Sequence, residues 1–365
     1  MALPVPAGTG QDCRSARGPS RQDAMPPPRS LVIVKLSAIG DVIHGIPVAV
    51  ALKKAFPAAR IGWVVEGRAA DVLAGHAAID HLFRLPRGWS RSPAAILRLR
   101  RDLRAFGADV TLDLQGLLKS GLAAWLSGAG RRIAHAPPEA RERSWLLATH
   151  CVPATAPHVV ERNCGLLAGL GLTVPHPRFD MPRWPVSRER VDQWLGAAGC
   201  GGAPALLNPG AGWPSKLWPE ERFATVARGL RASHGVPTVV VWAGPAERAA
   251  ADRIVAAAAG AAVLAPPTSL QDLGELCRRA RLMVSSDTGP LHLAAAVGTP
   301  CVGLFGPVPA ARNGPYGAGH AVVEPSPYLR PAWADRKTDT VAMGGIEAAA
   351  VLAAAASVLP RTAAA

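Results

Sequence analysis

The chain has 365 residues, of which 49% are hydrophobic and 18% are charged, and its formal net charge is +14. This length and composition predict a globular protein with two domains, because a single hydrophobic core stops growing beyond about 250–300 residues. The apolar runs fall short of the ~18 residues that predict a membrane-spanning helix. The sequence therefore does not predict an integral membrane protein.

The N-terminal segment differs in composition from the rest. Residues 1–30 are rich in Pro, Arg, Gly and Ser and lack the apolar core of a secretory signal, so we expect a disordered tail. The first predicted strand begins only at Leu31, and Met25 is an alternative start position. The six cysteines include no Cys-x-x-Cys pair, which predicts reduced thiols in the cytoplasm rather than a metal site or a disulfide framework.

The positive charge is concentrated in the first half. Residues 1–185 carry 24 Lys and Arg against 13 Asp and Glu, a balance of +11, whereas residues 186–365 carry 16 against 13, a balance of +3. Seven arginines and one acid lie between Arg84 and Arg104. These arginines form either a solvated face of a helix or a patch that binds a phosphorylated ligand or an anionic membrane. Aromatic residues are few and no nucleic-acid motif is present, so nucleic acid is not a predicted partner.

The first half alternates predicted strands (31–35, 60–66, 79–83 and 109–113) with predicted helices (42–56 and 93–106). Asp41 lies at the first strand-to-helix turn, where it can cap the helix or act as a general base in a cleft. His44 lies one turn further on, near the same face. The turn has neither the Gly-x-Gly-x-x-Gly fingerprint nor a P-loop, so it does not predict a dinucleotide site.

The strand at 109–113 runs into a loop of residues 114–120, LQGLLKS. Gly116 permits a tight turn there, and Lys119 can reach an anion beside the helix that follows. A proline-rich stretch at residues 175–185 predicts the linker between two domains.

The second half restarts the pattern, with strands predicted at 205–208, 238–242 and 262–264. Lys216 follows the first of these strands and is either a surface lysine or a point charge for a phosphate. Glu247 follows the second strand, where its carboxylate can accept hydrogen bonds from hydroxyl groups of a ligand.

The chain is organised around residues 281–307, which predict a strand, a loop, a short helix at 291–297, and a strand at 301–305. A short helix between parallel strands leaves its N-terminus at the carboxyl edge of the sheet, where free N–H groups and the helix dipole favour a diphosphate. Asp287 and Thr288 precede this helix and can cap it.

Several motifs resemble those of glycosyltransferase family 9, the lipopolysaccharide heptosyltransferases. The longest is SSDTGPLHLAAAVGTPCVGLFGP at 285–307, and shorter matches occur at 35–47, 113–120, 158–162 and 216–221. Together the resemblance covers residues 31–359. The DLQGLLKS match at 113–120 favours the type I members, although Gly210, Ala211 and Gly212 stand where those members commonly have threonines.

The resemblance implies an α/β protein with two Rossmann-like domains whose parallel sheets face a cleft, the GT-B fold. Residues 31–180 would bind the acceptor, residues 181–345 the nucleotide-sugar, and residues 346–360 would form a closing helix. The implied reaction moves L-glycero-D-manno-heptose from ADP-heptose to Kdo of the lipid A inner core, with inversion. The enzyme would work from the cytoplasm in peripheral contact with the anionic inner membrane.

The resemblance also assigns roles to residues, with no cofactor and no metal. Asp41 would be the catalytic base, and Asp287 would orient the heptose hydroxyls. The donor-binding set would be Lys216, Glu247, Asp287, Thr288, Gly289 and His292. The acceptor-binding set would be Ser37, Gly40, His44, Gln115, Gly116 and Lys119.

Three alternatives stay open at this point. The chain could be a heptosyltransferase II or another family 9 sugar transferase. A sugar-nucleotide epimerase of the same fold is a second class, which the SDTGPLH string at 286–292 disfavours. A non-catalytic protein on this scaffold is the third, and the joint presence of Asp41, Lys216 and Asp287 disfavours it.

Overall fold

The structure is a computed structural model that describes residues 26–326 and 335–359. Within these ranges the chain forms two six-stranded sheets, and every strand pair in both is parallel. The first sheet contains β1 (Ser30–Val34), β2 (Arg60–Glu66), β3 (His81–Leu85), β4 (Val110–Asp113), β5 (Arg131–His135) and β6 (His150–Val152). The second contains β7 (Ala205–Asn208), β8 (Thr238–Val240), β9 (Ala262–Leu264), β10 (Leu282–Ser286), β11 (Cys301–Leu304) and β12 (Ala321–Val323).

Helices connect the strands. Those associated with the first sheet are α1 (Ile39–Ile43), α2 (Ile46–Ala55), α3 (Pro93–Phe106), α4 (Leu118–Leu126) and α5 (Val159–Gly165). They are followed by α6 (Pro185–Ala197), α7 (Glu220–His234), α8 (Gly244–Ala257), α9 (Leu270–Arg279), α10 (Gly289–Ala296), α11 (Ala310–Asn313), α12 (Val341–Gly344) and α13 (Ala348–Val358). Among the described residues, no helix has the length and apolarity to cross a bilayer.

The two sheets share one topology. The strand order is β3-β2-β1-β4-β5-β6 in the first and β12-β11-β10-β7-β8-β9 in the second, the same order traced from opposite edges. In each sheet the connections reverse direction between the two central strands, β1 and β4 or β7 and β10. Such a switch point opens a crevice at the carboxyl ends of the strands, where ligands bind in folds of this kind. The predicted pair of Rossmann-like domains is confirmed.

The sequence explains why the central strands lie inside. All five residues of β1, SLVIV, are buried, and so are those of β10, LMVSS. Parallel strands covered by helices on both faces require such continuous runs of buried residues. At the ends of α3, Ser92 accepts a hydrogen bond from the Ala95 N–H (3.3 Å) and Gly107 has a positive φ of 68°. These are the N-cap and C-cap signals that the sequence contains.

Several predicted boundaries are wrong. The helix predicted at 42–56 is interrupted at His44 and Gly45, and α1 begins earlier, at Ile39. The predicted strand at 79–83 lies two residues later as β3, and β5, β6 and β12 were not predicted. The predicted tail is too long by one residue at least, because Ser30 belongs to β1. Its residues 1–25 lie outside the described residues.

The structure has a helix at the C-terminal end, α13, whose bounds lie inside those of the predicted closing helix 346–360. α13 packs against α7 and β12 and buries Val351 and Ala355. Residue 360, the last of the predicted closing helix, lies outside the described residues. The predicted linker at 175–185 has no regular structure before α6, which packs against α9 of the second half. The division at residue 180 between an acceptor domain and a donor domain stays a prediction.

Candidate active site

The predicted site residues come from the segments that follow the central strands. Ser37, Gly40 and Asp41 follow β1, and the 115–119 loop follows β4. Lys216 follows β7, and the 287–292 segment follows β10. Because β1 and β4 flank one switch point and β7 and β10 flank the other, the topology gathers these residues at two crevices.

Asp41 is the third residue of α1, and its side chain is exposed. Its Oδ2 accepts a hydrogen bond from the Ala38 N–H at 3.1 Å. The carboxylate therefore supports the first turn of α1 from within the helix rather than as its N-cap. A capping contact and a solvent-facing carboxylate occur in the same residue, so the structural and the catalytic interpretations are compatible.

Lys35 directly follows β1 and was not among the predicted site residues. Its ammonium group is buried and donates to the Leu114 carbonyl at 2.8 Å. Burial lowers the pKa of Lys35, the charges of Asp41 and Asp113 oppose that shift, and Arg312 and Arg141 add to it. Two arginines from opposite halves of the chain thus lie close enough to act on the same buried lysine.

The loop after β4 is built on backbone contacts. The side-chain oxygen of Gln115 accepts from the Leu36 N–H at 3.1 Å, which ties this loop to the one after β1. Gly116 has a φ of 67°, and a Cβ there would lie 2.9 Å from the Glu139 carbonyl oxygen, so a side chain is excluded. The predicted tight turn at Gly116 is confirmed.

Lys119 faces Glu66, the last residue of β2. Its Nζ lies 3.1 Å from Oε1 of Glu66, which also accepts from the Trp89 indole at 2.8 Å. An acceptor anion would have to share Lys119 with this carboxylate. The sequence could not have indicated the pair, because 53 residues separate its members.

Asp287 is the centre of the second crevice. Its Oδ2 accepts from Lys216 Nζ at 2.5 Å, and its Oδ1 accepts from His292 Nε2 at 3.1 Å and from Asn313 Nδ2 at 2.6 Å. Burial alone would raise the pKa of Asp287, but the hydrogen bond from His292 and the charge of Lys216 outweigh it and hold that pKa far below its usual range. The group is a fixed anion that orients three donors around it.

Lys216 also lies over an aromatic ring. Its Nζ is 4.5 Å from the centre of the Trp213 ring, and Lys337 Nζ approaches the same ring at 5.4 Å. Ser215 holds the 336–337 segment in place, because its hydroxyl donates to the Arg336 carbonyl at 2.7 Å. Residues 336 and 337 bring two further positive charges to this loop from more than 100 positions away, a contact that the sequence reasoning missed.

Thr288 does not cap α10 with its side chain, contrary to the capping prediction. Its hydroxyl instead accepts from Asn208 Nδ2 at 3.1 Å, which joins β7 to the loop after β10. The first N–H groups of α10 are thus left without that cap, and this is the arrangement that favours an anion. Gly289, the next residue, lies against Ile39 of α1.

Glu247 lies in the first turn of α8 and accepts from the Ala243 N–H at 2.7 Å. Burial raises the pKa of Glu247, and the Ala243 hydrogen bond opposes that shift. Its carboxylate lies against Gly210, where an added Cβ would be 2.3 Å from the carboxylate carbon. Glu247 therefore faces the loop that follows β7 and carries Lys216.

The two crevices meet where α1 contacts α10. A Cβ on Gly40 would lie 2.5 Å from Cδ2 of His292, so only glycine allows the approach. The His44 ring is buried against His292, with ring centres 4.2 Å apart, and the centre of the His158 ring lies 5.9 Å from that of His44. His44 thus belongs to the junction between the halves, and its predicted contact with an acceptor stays a prediction.

His44 should make the protein less stable in acid. Burial lowers the pKa of His44 well below 6.5, and the neighbouring His292 and His158 lower it further. Below pH ~6.5 the unfolded chain takes up a proton at this histidine that the folded chain refuses, so stability falls by at most about 1.4 kcal/mol per pH unit. We expect His44→Phe to lose less stability than the parent between pH 6.5 and pH 5 in urea titrations. Equal losses in the two proteins would contradict this account of His44.

The fold and the site together define a class of protein. Two Rossmann-like sheets whose switch-point loops face each other form the GT-B architecture, and one crevice holds fixed cations around an open helix N-terminus. Among the described residues, no group of three or more His, Cys, Asp or Glu side chains could hold a metal ion. The class is a GT-B glycosyltransferase.

Comparison with known proteins identifies the family. The sequence model of glycosyltransferase family 9 (heptosyltransferase) matches residues 96–330. The lipopolysaccharide heptosyltransferase 1 of Pseudomonas aeruginosa is 32% identical over 306 residues, which cover 79% of this chain and 81% of that protein. The chain belongs to glycosyltransferase family 9, as its motifs predict.

Solved structures agree with this assignment. The Escherichia coli heptosyltransferase WaaC with ADP-2-deoxy-2-fluoro heptose has a TM-score of 0.70 and 26% identity, covering 88% of this chain and 97% of that one. A family 9 glycosyltransferase from Veillonella parvula has a TM-score of 0.77 at 23% identity, covering 90% and 97%. At 23% identity, the similarity to the Veillonella parvula protein supports the fold alone.

Proposed function

We propose that this enzyme transfers L-glycero-D-manno-heptose from ADP-heptose to a Kdo residue of the lipid A inner core, with inversion at the anomeric carbon. The observation that carries the proposal is the contact of α1 with α10. This contact puts α1, which carries the exposed Asp41, beside the helix that follows Asp287. The curated relatives named lipopolysaccharide heptosyltransferase 1 support the choice of sugar and acceptor.

In the donor half, the diphosphate of ADP-heptose would lie between Lys216 and the start of α10 at Thr288 and Gly289. Lys216, Arg336 and Lys337 lie around Trp213 and offer positive charge there. These cations and the free N–H groups of α10 would stabilise the ADP anion as its bond to heptose breaks. WaaC, which binds an ADP-heptose analogue, supports the nucleotide. His292 would reach the donor from the first turns of α10, and Glu247 would meet the ribose.

Asp287 would act on the donor through its neighbours as well as directly. Its carboxylate is already occupied by Lys216, His292 and Asn313. Its first effect is therefore to hold Lys216 in place, and any hydrogen bond to a heptose hydroxyl would have to share the same oxygens. A fixed ion pair is preorganised, so the cation need not move as charge develops on the leaving group.

In the acceptor half, Asp41 would remove the proton from the attacking Kdo hydroxyl. The hydroxyl oxygen forms a bond to the anomeric carbon of heptose, the bond from that carbon to the β-phosphate oxygen breaks, and the proton remains on Asp41. Attack from the face opposite the leaving ADP inverts the configuration. Ser37, Gly40, Gln115, Gly116 and Lys119 would line the acceptor side.

We also propose that the enzyme acts at the inner face of the inner membrane, in peripheral contact. Kdo is a carboxylate sugar and lipid A carries phosphates, so the acceptor is anionic. The +11 balance of residues 1–185 suits such a partner. Arg141 and Arg312 are both exposed and their charges both act on Lys35, so they offer positive charge to an anionic acceptor.

The experiment is an incubation of the purified protein with ADP-heptose and Kdo-bearing lipid A, followed by mass spectrometry of the lipid. The expected product has gained one heptosyl residue, with release of ADP. A parallel reaction uses an acceptor that already carries one heptose. Extension of the second acceptor only would indicate a heptosyltransferase II, and extension of neither would contradict heptose transfer to this core.

A further inference from the structure

Four large apolar side chains are exposed on one side of the first sheet. Leu97 in α3, Leu118 and Trp125 in α4, and Leu146 in the 3₁₀ turn Ser144–Leu147 are 63%, 51%, 50% and 67% exposed. α3 packs beside α4, and α4 packs beside this turn, so the four side chains belong to one continuous layer. Large apolar groups gathered on adjacent elements mark an interaction surface rather than ordinary surface scatter.

The sequence of α4 puts a Leu and a Trp on its outer face. Ser120, Ala123 and Ala124 are buried against the sheet. Leu118 and Trp125 are seven residues apart, about two helical turns, and lie on the opposite side. A helix that met only water would carry polar side chains there. Packing within the chain therefore does not account for the exposed Leu118 and Trp125 on α4.

Basic side chains flank this stripe on both sides. Arg98, Arg100, Arg101 and Arg104 are exposed on α3, and Arg141 and Arg143 are exposed before the 3₁₀ turn. The nearby carboxylates are already engaged. Asp102 pairs with Arg101 at 2.9 Å, and Glu142 accepts from the Leu118 N–H at 3.1 Å. The surface thus combines apolar protrusions with a surrounding excess of positive charge.

Such a surface fits an anionic lipid bilayer better than a second copy of the chain. Trp and Leu insert at the boundary of headgroups and acyl chains, and each arginine near an anionic surface adds attraction. In a symmetric dimer the same patch would face itself, and its like charges would repel. α4 also begins directly after the 115–117 loop, so a lipid held at this surface would lie beside the predicted acceptor side of the cleft.

We propose that the outer face of α4, with Leu97 of α3 and Leu146 of the 3₁₀ turn, is the lipid-docking surface of this enzyme. The proposal deepens the proposed function and rests on it, because a lipid-anchored acceptor is the reason to dock. Leu118 and Trp125 would enter the interface, and the arginines of α3 together with Arg141 and Arg143 would meet the anionic headgroups.

The test is co-sedimentation of the full chain with phosphatidylethanolamine vesicles that contain phosphatidylglycerol, without any sugar nucleotide. Trp125→Ser should weaken binding at least about tenfold, because it removes the largest inserted side chain. The matched control is Val186→Ser on α6, whose parent side chain is 72% exposed in the second half of the chain. The control should bind as the parent does, and thermal unfolding should show that both variants are folded.

Charge is tested separately. Arg98→Gln with Arg100→Gln should weaken binding by about fivefold per arginine at low salt, since each contributes about 1 kcal/mol near the surface. The matched control removes two exposed arginines elsewhere, Arg188→Gln with Arg231→Gln. The effect should vanish at 1 M salt, where the screening length is about 3 Å, whereas the effect of Trp125→Ser should persist.

The outcomes separate this proposal from the proposed function. Heptose transfer to a soluble, delipidated Kdo acceptor should be the same for Trp125→Ser and for the parent. If Trp125→Ser binds vesicles as well as the parent, the docking surface is wrong even when transfer is intact. If sedimentation velocity shows a parent dimer that Trp125→Ser converts to a monomer, the surface is an interface between copies and the proposal is overturned.

Discussion

Replacing Asp41 by Asn is expected to lower turnover at least ~10²-fold and to leave the affinity for ADP-heptose nearly unchanged. The amide oxygen of Asn can still accept the hydrogen bond that Oδ2 accepts from the Ala38 N–H, so α1 should keep its first turn. What the variant loses is the ability to take a proton. The measurement is the steady-state rate of heptose transfer, with donor affinity measured by calorimetry.

The control for Asp41 is a carboxylate of similar exposure outside the cleft. Asp252→Asn on α8 removes one exposed charge, which pairs with Arg248 at 3.0 Å. We expect it to transfer heptose at the rate of the parent. Near-normal turnover in Asp41→Asn would reduce Asp41 to a residue that supports the helix start.

Replacing Lys216 by Ala is expected to weaken ADP binding by about 1.5–3 kcal/mol, roughly 10- to 150-fold, because it removes a charge-assisted contact to the diphosphate. Transfer should slow as well. The same change leaves the Asp287 carboxylate buried without its strongest cation, and breaking a buried pair from one side typically costs about 3–5 kcal/mol of stability. The two effects must be separated before the role of Lys216 is assigned.

A double variant separates them. Asp287→Asn in the Lys216→Ala background removes the uncompensated charge, so we expect stability to recover in part while ADP binding stays weak. Lys54→Ala, an exposed lysine on α2, is the matched control for the loss of one positive charge. Calorimetric titration with ADP that shows parental affinity in Lys216→Ala would refute the diphosphate assignment.

The repeated alternation of strands and helices was sufficient to predict the architecture. Central strands such as β1, β7 and β10 each contain an uninterrupted run of three or four apolar residues, and all of their residues are buried. The strands β5 and β6 at one side of the first sheet, and the edge strand β12 of the second, escaped prediction because their residues do not show that pattern. β5 begins with Arg131 and Arg132, and β6 has only three residues, none of them buried.

The candidate site was predictable as a set of residues but not as a network. Motifs pointed to Lys216 and Asp287 separately, yet their ion pair spans 71 positions and depends on how β7 and β10 pair. Asn313 belongs to no motif. It is the last residue of α11, the short helix after β11, and from there it donates to Asp287. The break at His44 and Gly45 was missed although the sequence contains its signals, because Gly45 and Pro47 stand inside the predicted helix 42–56. Pro47 lies in the first turn of α2, where its missing N–H leaves no helical hydrogen bond unmade.

The central claim is that Asp41 activates the acceptor for a single direct displacement at the anomeric carbon. The most direct measurement is the anomeric configuration of the newly attached heptose, read by NMR of the purified product from ADP-heptose. The account predicts a configuration opposite to that of the donor. Retention of the donor configuration would contradict it, because retention requires a second displacement that one carboxylate acting as a base does not provide.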